Sequence, residues 1–135
     1  MTRFGSGTVS KRGMYFSGKP SAAELVSTTG PSIEVGDAGT VHVEVNVSAV
    51  TGTTPTMVVV IEGSNDLTNW YTLAQVGANG ATLGGAAAAP TNITAAGVYR
   101  AAVPCTQFVR YRSVIGGTTP SFTYRVDIEA SVAPV

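Results

Sequence analysis

Histidine and cysteine often serve as general base and nucleophile, and this chain of 135 residues holds one of each, His42 and Cys105. His42 lies two residues before Glu44, a spacing that places both side chains on one face of a strand. Catalysis would also require a nucleophile within reach of the imidazole, and Cys105 has no second histidine to activate it. The sequence therefore favours a surface position for His42 and a packing role for Cys105.

Oxygen ligands for a cation are grouped in one short segment. Glu62, Asn65 and Asp66 would contribute only part of the six to eight oxygens that Ca²⁺ prefers, so the set is incomplete. Zinc-type Cys and His spacings are absent, as is a Gly-rich phosphate loop with its lysine. We therefore expect no catalytic residue, no metal and no cofactor, and hence a protein that is not an enzyme.

Arginine residues cluster late in the sequence. Arg110 and Arg112 are two residues apart and so share one face of a predicted strand. Arg125 lies on the polar face of the next predicted strand, which a Gly-Gly-Thr-Thr turn would bring alongside the first. Guanidinium groups on one face are suited to bidentate binding of carboxylates on a partner protein. The alternative is that Asp127 and Glu129, on the face of Arg125, neutralise the arginines within the chain.

Charged residues make up only 12% of the sequence, with eight Lys plus Arg, eight Asp plus Glu and a formal net charge of zero. Soluble domains average about 25% charged residues, and a net charge near zero favours contact between copies. A nucleic-acid-binding domain normally has a basic excess, which this chain lacks. The composition predicts a protein that occupies an assembly and binds no nucleic acid.

The order of the charges separates a basic opening from the rest of the chain. Residues 1–30 are rich in Gly and Ser, and residues 1–20 contain bases without an acid. We predict a basic N-terminal arm that becomes ordered against an acidic partner, the alternative being a terminus that frays. Within it, Ser21 and Glu24 have the spacing of a capping box, which predicts a short helix at 21–26. The basic residues of the arm are Arg3, Lys11, Arg12 and Lys19.

Targeting and membrane signals are also missing from the sequence. No stretch reaches the roughly 18 apolar residues of a membrane-spanning helix. The opening Met-Thr-Arg-Phe-Gly-Ser-Gly has no apolar signal-peptide core. We expect a protein that is made and used in the cytoplasm without membrane contact, export without a cleaved signal being the alternative.

After residue 30, apolar and polar residues alternate with the period of β-strands. From Thr40 to Ser48 every odd position is Val and every even position is polar, which predicts a strand with one buried face. Val and Thr, which favour pleated structure, are abundant and Leu is scarce. We therefore predict a single all-β domain over 31–135, an antiparallel β-sandwich. Its strands are expected at 40–48, 56–62, 70–76, 98–103, 107–115 and 121–130.

Residues 48–57 and 113–122 repeat each other without a gap. Both begin with Ser, contain Gly-Thr-Thr-Pro and end on an apolar residue. Proline fits the first position of a strand because it cannot donate to a ladder, and glycine permits a positive φ in a turn. We predict that each copy is a strand, a tight turn and a second strand, and that the sandwich has two related halves.

The segment Ile61–Leu73 reads Ile-Glu-Gly-Ser-Asn-Asp-Leu-Thr-Asn-Trp-Tyr-Thr-Leu. It resembles the Ser-Asn-Asp-Gly-x-x-Trp-x-x-Leu hairpin of small jelly-roll β-sandwiches, which occurs in discoidin-like modules and in many structural proteins of tailed bacteriophages. Leu67 stands where that pattern has glycine. Gln107–Arg112, Gln-Phe-Val-Arg-Tyr-Arg, is similar to the Arg-Tyr-Val-Arg strand that follows the hairpin there. The matching hairpin residues are Ser64, Asn65, Asp66, Trp70 and Leu73, the last two expected in the core.

Over residues 33–130 the chain looks most like a capsid decoration (cement) protein of a tailed phage. The resemblance implies a jelly roll without enzymatic activity, the major capsid protein as partner, and a homo-oligomer such as a trimer. It also implies a place on the capsid surface after assembly in the host cytoplasm. A head–tail connector or tail component needs only a sandwich and adhesive loops and is an alternative. A carbohydrate-binding module on a virion is another, and would need an exposed aromatic platform, for which Tyr15, Tyr71 and Tyr99 are available.

Overall fold

Seven β-strands form the regular structure of the computed structural model, which describes residues 12–36, 38–83 and 90–132. They are β1 (Arg12–Glu24), β2 (Ile33–Glu34), β3 (Thr40–Ser64), β4 (Tyr71–Gly77), β5 (Gly80–Leu83), β6 (Gly97–Pro104) and β7 (Phe108–Val132). All their pairings are antiparallel. Within the described ranges there is no helix, and so none able to cross a membrane. The predicted antiparallel all-β sandwich is confirmed, while the jelly-roll topology stays an expectation of the resemblance.

Two strands of unusual length organise the sandwich. β3 and β7 each have 25 residues and pair along their whole length, from Thr40 opposite Ser131 to Ser64 opposite Phe108. β6 pairs with the first half of β3 and β4 pairs with its second half. β4 nevertheless also contacts β6. The sheet therefore folds over at the middle of β3 and β7 and forms two layers.

The two layers contain different halves of the long strands. The first layer has the order β1, 121–132 of β7, 40–51 of β3, and β6. The second layer has the order β2, 108–116 of β7, 56–64 of β3, β4 and β5. Their inward faces bury one core, and the Val alternation predicted for 40–48 is confirmed. Core residues include Val41, Val43, Val45, Val47, Met57, Val59, Ile61, Phe122, Tyr124, Val126 and Ile128.

The fold line between the layers is made by the two Gly-Thr-Thr-Pro repeats. Gly52 and Gly117 have φ of 113° and 111°, and each lies against the opposite repeat. A Cβ on Gly52 would lie 2.6 Å from the carbonyl oxygen of Thr119, and one on Gly117 would lie 2.6 Å from that of Thr54. The pairing register shifts here, as expected where bulged strands cross from one layer to the other. The repeats therefore face each other as an approximately two-fold symmetric corner.

This corner corrects the hairpin prediction. Neither repeat is a tight turn between paired strands, because each continues a single strand around the bend. The predicted strands 107–115 and 121–130 are the two halves of β7 and pair with β3, not with each other. The expectation of two related halves agrees with the mutual packing of the repeats.

The N-terminal segment also differs from its prediction. Residues 21–24 end strand β1, with Ala22 opposite Tyr124 and Glu24 opposite Phe122, so the predicted helix at 21–26 is wrong. Pairing with β7 and burial of the Glu24 side chain outweigh the local capping-box signal. Residues 12–24 are therefore an edge strand of the sandwich, and only residues 1–11 of the predicted arm lie outside the described part of the chain.

Candidate functional site

Two of the predicted arginines lie on the outer face of the second layer, opposite a glutamate of β3. Arg110 is in register with Glu62, and Arg112 follows on the same face. Arg110 Nε donates to Glu62 Oε1 at 2.8 Å, and Arg112 Nε donates to Glu62 Oε2 at 3.1 Å. The Glu62 side chain is 12% exposed and that of Arg112 is 39% exposed. One carboxylate thus serves two guanidinium groups, which leaves an excess of one positive charge at the surface.

An aromatic ring packs against one of these two arginines. The Arg110 guanidinium carbon lies 3.9 Å from the centre of the Trp70 ring, a cation–π contact that holds the side chain in place. Trp70 is therefore half-buried on the outer face and not in the core as predicted. Leu73 packs against the core, as predicted. The Trp70 ring covers one side of the Arg110 guanidinium, and Arg112 is the more accessible of the two cations.

Arg125 lies on the other layer, so the predicted three-arginine face does not exist. The corner at Gly116–Pro120 separates it from Arg110 and Arg112. Its Nε is 3.0 Å from Asp127 Oδ2, which agrees with the alternative that Asp127 neutralises it within the chain. Glu44, paired with Arg100 at 3.0 Å, lies 3.9 Å from the Arg125 guanidinium.

The predicted basic arm provides no docking cation within the described residues. Arg3 and Lys11 lie outside them, as does the side chain of Arg12. Lys19 is 7% exposed, and its Nζ donates to the carbonyls of Ala22 at 2.7 Å and Tyr124 at 2.9 Å. It also lies 4.2 Å from the centre of the Tyr124 ring, and burial lowers its pKa. The expectation that Lys19 binds a partner is therefore wrong, because its charge is used inside the fold.

A buried polar cluster lies next to Lys19 and was not predicted from the sequence. The Glu24 carboxylate accepts hydrogen bonds from the Tyr124 hydroxyl at 2.6 Å, the Tyr111 hydroxyl at 3.3 Å, and the Ser113 hydroxyl. Burial, followed by the charge of Glu24, raises the pKa of Tyr111 to about 12. Burial and the Glu24 hydrogen bond also raise the pKa of Tyr124. No local pattern indicated this cluster, because Ser21 and Glu24 have the spacing of a capping box and so predicted Glu24 in the first turn of a helix.

The Ser-Asn-Asp motif forms a self-contained loop. Asp66 Oδ1 accepts from the backbone N–H groups of Asn69 at 2.7 Å and Thr68 at 2.8 Å, and these bonds lower the pKa of Asp66. Leu67, in the position of the pattern's glycine, adopts a φ of 63°. Asn65 Oδ1 accepts from the Gln107 backbone at 3.1 Å and ties the loop to the segment before β7. The Asp66 oxygens are thus committed to the loop.

No group of three or more His, Cys, Asp and Glu side chains in the described ranges is placed to hold a metal ion. Cys105 is partly buried and its thiol donates to the carbonyl of Ala38 at 2.9 Å. Burial raises the pKa of this thiol, which disfavours the reactive thiolate.

The outer face of the first layer carries a groove of about 570 Å³. All four strands of the layer contribute to it: Tyr15 from β1, Asp127 and Glu129 from β7, His42 and Glu44 from β3, and Arg100 from β6. The Tyr15 hydroxyl donates to Asp127, which raises the pKa of Tyr15. Alternation predicted His42 and Glu44 on one polar face, but no local pattern in the sequence indicated which strands lie beside them.

Comparison with known proteins gives structural relatives only. No protein-family model matches the chain, and no curated protein matches its sequence. The crystal structure of the SPBc2 prophage-derived protein YomS is similar with a TM-score of 0.55 and 12% identity, over 92% of this chain and 96% of that one. A structure of infectious bursal disease virus, Gx strain, is similar with a TM-score of 0.52 and 12% identity, over 92% of this chain and 32% of that one. At this identity the likeness shows a shared β-fold, and the chain spans about a third of the viral protein.

Proposed function

We propose that the chain is a non-enzymatic structural protein of a phage virion that decorates the outside of the capsid and stabilises the shell. The observation that carries the proposal is the shared fold with a prophage-derived protein of nearly the same extent. The phage-like Ser-Asn-Asp hairpin motif, the low charge and the extensive sandwich support it. In this proposal the partner is the major capsid protein and the decoration protein is a homo-oligomer such as a trimer.

The outer face of the second layer is the capsid-binding surface in this proposal. Arg112 has its Nε bonded to Glu62, which holds one side of the guanidinium while the side chain stays 39% exposed. Val114, two residues on, is 44% exposed on the same face. An oriented cation beside an apolar side chain suits an acidic patch on a shell protein, because the guanidinium can bind a carboxylate in a bidentate manner. Residues 1–11, with Arg3 and Lys11, would add a second contact.

Binding to capsids tests the function. The purified protein is mixed with mature, expanded capsids of the encoding virus that lack it, and sedimentation and heat resistance of the particles are measured. We expect binding at a fixed ratio to capsid subunits and particles that withstand a higher temperature. Particles that bind nothing would contradict the decoration role and favour the connector, tail or carbohydrate-binding alternatives.

A charge-reversal pair tests the surface. Arg112→Glu is expected to lower capsid affinity by tenfold or more, since it places a negative charge beside Glu62 and opposite the acidic partner. Arg125→Glu is the matched control, because it alters the same strand on the opposite layer and its side chain is 49% exposed. Capsid binding lost in Arg125→Glu and kept in Arg112→Glu would refute the choice of face.

A further inference from the structure

The groove on the outer face of the first layer is not part of the proposed capsid contact. Its side chains are arranged in cross-strand rows, in which Tyr15 is opposite Glu129, Glu129 is opposite His42, and His42 is opposite Ala102. Three strand spacings separate the two ends of such a row, a span of about 14 Å. The groove is thus long enough for an extended ligand lying across the strands.

The depth of the groove comes from a small residue. Ala102 is exposed on β6 and carries only a methyl group between larger neighbours. Arg100, two residues away on the same face, is opposite Glu44 in the sheet. The methyl group of Ala102 therefore leaves space beside it, and this space is bordered by side chains that can donate and accept hydrogen bonds.

Several polar groups in and beside the groove are already held by ion pairs or hydrogen bonds. Arg100 Nε lies 3.0 Å from Glu44, and Arg125, beside the groove, lies 3.0 Å from Asp127. Asp127 also accepts from the Tyr15 hydroxyl, so the ring is held while 65% of Tyr15 remains exposed. Groups fixed in this way lose little freedom when a ligand binds.

This chemistry discriminates between ligand classes. A lining of carboxylates, imidazole and guanidinium disfavours a lipid or another apolar ligand. Three carboxylates against one guanidinium in the lining disfavour nucleic acid and other polyanions. Arg100 and Arg125 already hold two of the three lining carboxylates, Glu44 and Asp127, so a basic peptide would gain attraction chiefly from Glu129.

We propose that this groove binds a neutral saccharide, with the Tyr15 ring against the apolar face of one sugar and Glu129, His42 and Arg100 bonding hydroxyl groups. Carboxylates accept hydrogen bonds from hydroxyls and guanidinium donates to them, so both hydrogen-bonding roles of a hydroxyl are matched. An exposed tyrosine ring supplies apolar area that is fixed before binding. The ligand class follows from the groove alone and is independent of capsid binding.

The test is calorimetric titration of the full chain with defined oligosaccharides of neutral hexoses, N-acetylhexosamines and uronic acids, and with an oligolysine peptide. Ala102→Trp would fill the space beside the small lining residue, and Tyr15→Ala would remove the ring. Val98→Trp is the matched control, because Val98 is 45% exposed on the same face of β6 and does not line the groove. Circular dichroism checks that each variant keeps its β-structure.

We expect at least one neutral oligosaccharide to bind, with about tenfold or greater loss of affinity in Ala102→Trp and in Tyr15→Ala and no loss in Val98→Trp. Absence of binding to every neutral saccharide would overturn the proposal, as would binding that Ala102→Trp leaves unchanged. Tighter binding of oligolysine than of any saccharide would assign the groove to a basic protein segment. Preference for uronic acids would contradict the charge argument.

Discussion

At the scale of single residues, the buried carboxylate of Glu24 joins β1 to β7 through hydrogen bonds. It accepts from three hydroxyl groups that belong to Tyr111, Ser113 and Tyr124. All four residues are at most 9% exposed. A buried hydroxyl without an acceptor is costly, so one residue of β1 satisfies three residues of β7.

Glu24→Ala is therefore expected to lower the free energy of unfolding by about 2–3 kcal/mol, because it leaves buried hydroxyls without their acceptor. Urea unfolding measures the change. Glu34→Ala, at an exposed position, is the control and should change the free energy by less than about 0.5 kcal/mol. Equal effects of the two substitutions would show that the cluster contributes nothing specific.

The same cluster predicts a loss of stability at alkaline pH. The pKa of Tyr111 rises from 10.0 to about 12 on folding, so the folded state favours the neutral phenol. This contribution is fully present below pH 10.0 and is lost as the pH rises through about 12. The urea concentration at the unfolding midpoint should fall as the pH is raised through this range. The fall should be smaller in Tyr111→Phe, because phenylalanine cannot ionise. An undiminished fall in Tyr111→Phe would contradict the assignment.

At the scale of elements, the two long strands depend on the glycines at their bends. Gly52 and Gly117 combine a positive φ with a carbonyl oxygen in the space that a Cβ would occupy. Their conformation is strained for any other residue, and their position leaves no room. Each glycine therefore allows the backbone of the other repeat to approach.

Gly52→Ala and Gly117→Ala should each lower the free energy of unfolding by about 2 kcal/mol, from left-handed strain and the displaced opposite strand. Because the two repeats touch, the double substitution should depart from the sum of the single effects. Chemical unfolding of the unsubstituted chain, the two single variants and the double variant gives the single effects and the departure from their sum. Gly39→Ala is the control, since nothing lies within 4 Å of the added Cβ there. Strict additivity would argue against coupling across the corner.

At the scale of the whole molecule, strand-forming segments could be predicted from the sequence because alternation is local. The Val residues of 40–48 and the alternation of 121–130 lie where expected. Partners could not be predicted, since Gly-Thr-Thr-Pro reads as a turn locally, and only pairing with a strand about 65 residues away shows it to be a bend. For the same reason the shared face of Arg110 and Arg112 was predictable, whereas Glu62 and the opposite layer of Arg125 were not.

The pairing of β1 with β7 could not be predicted from local sequence either, and it leads to a prediction for a truncated chain. Deleting residues 1–24 should lower the free energy of unfolding by several kcal/mol or prevent folding, because it removes Lys19 and Glu24 from their buried partners. Urea unfolding and circular dichroism measure the effect. A shorter chain without 1–24 that is as stable as the full chain would show that β1 is dispensable.

The continuity of β3 and β7 through both layers has a mechanical consequence. In a sandwich whose layers are joined only by surface loops, tension between the layers is resisted first by side-chain packing. Here two adjacent, mutually hydrogen-bonded segments of covalent backbone cross the fold line. Forces that separate the layers would open their side-chain packing, while the paired strands at the fold line keep the two layers joined by a two-stranded ladder.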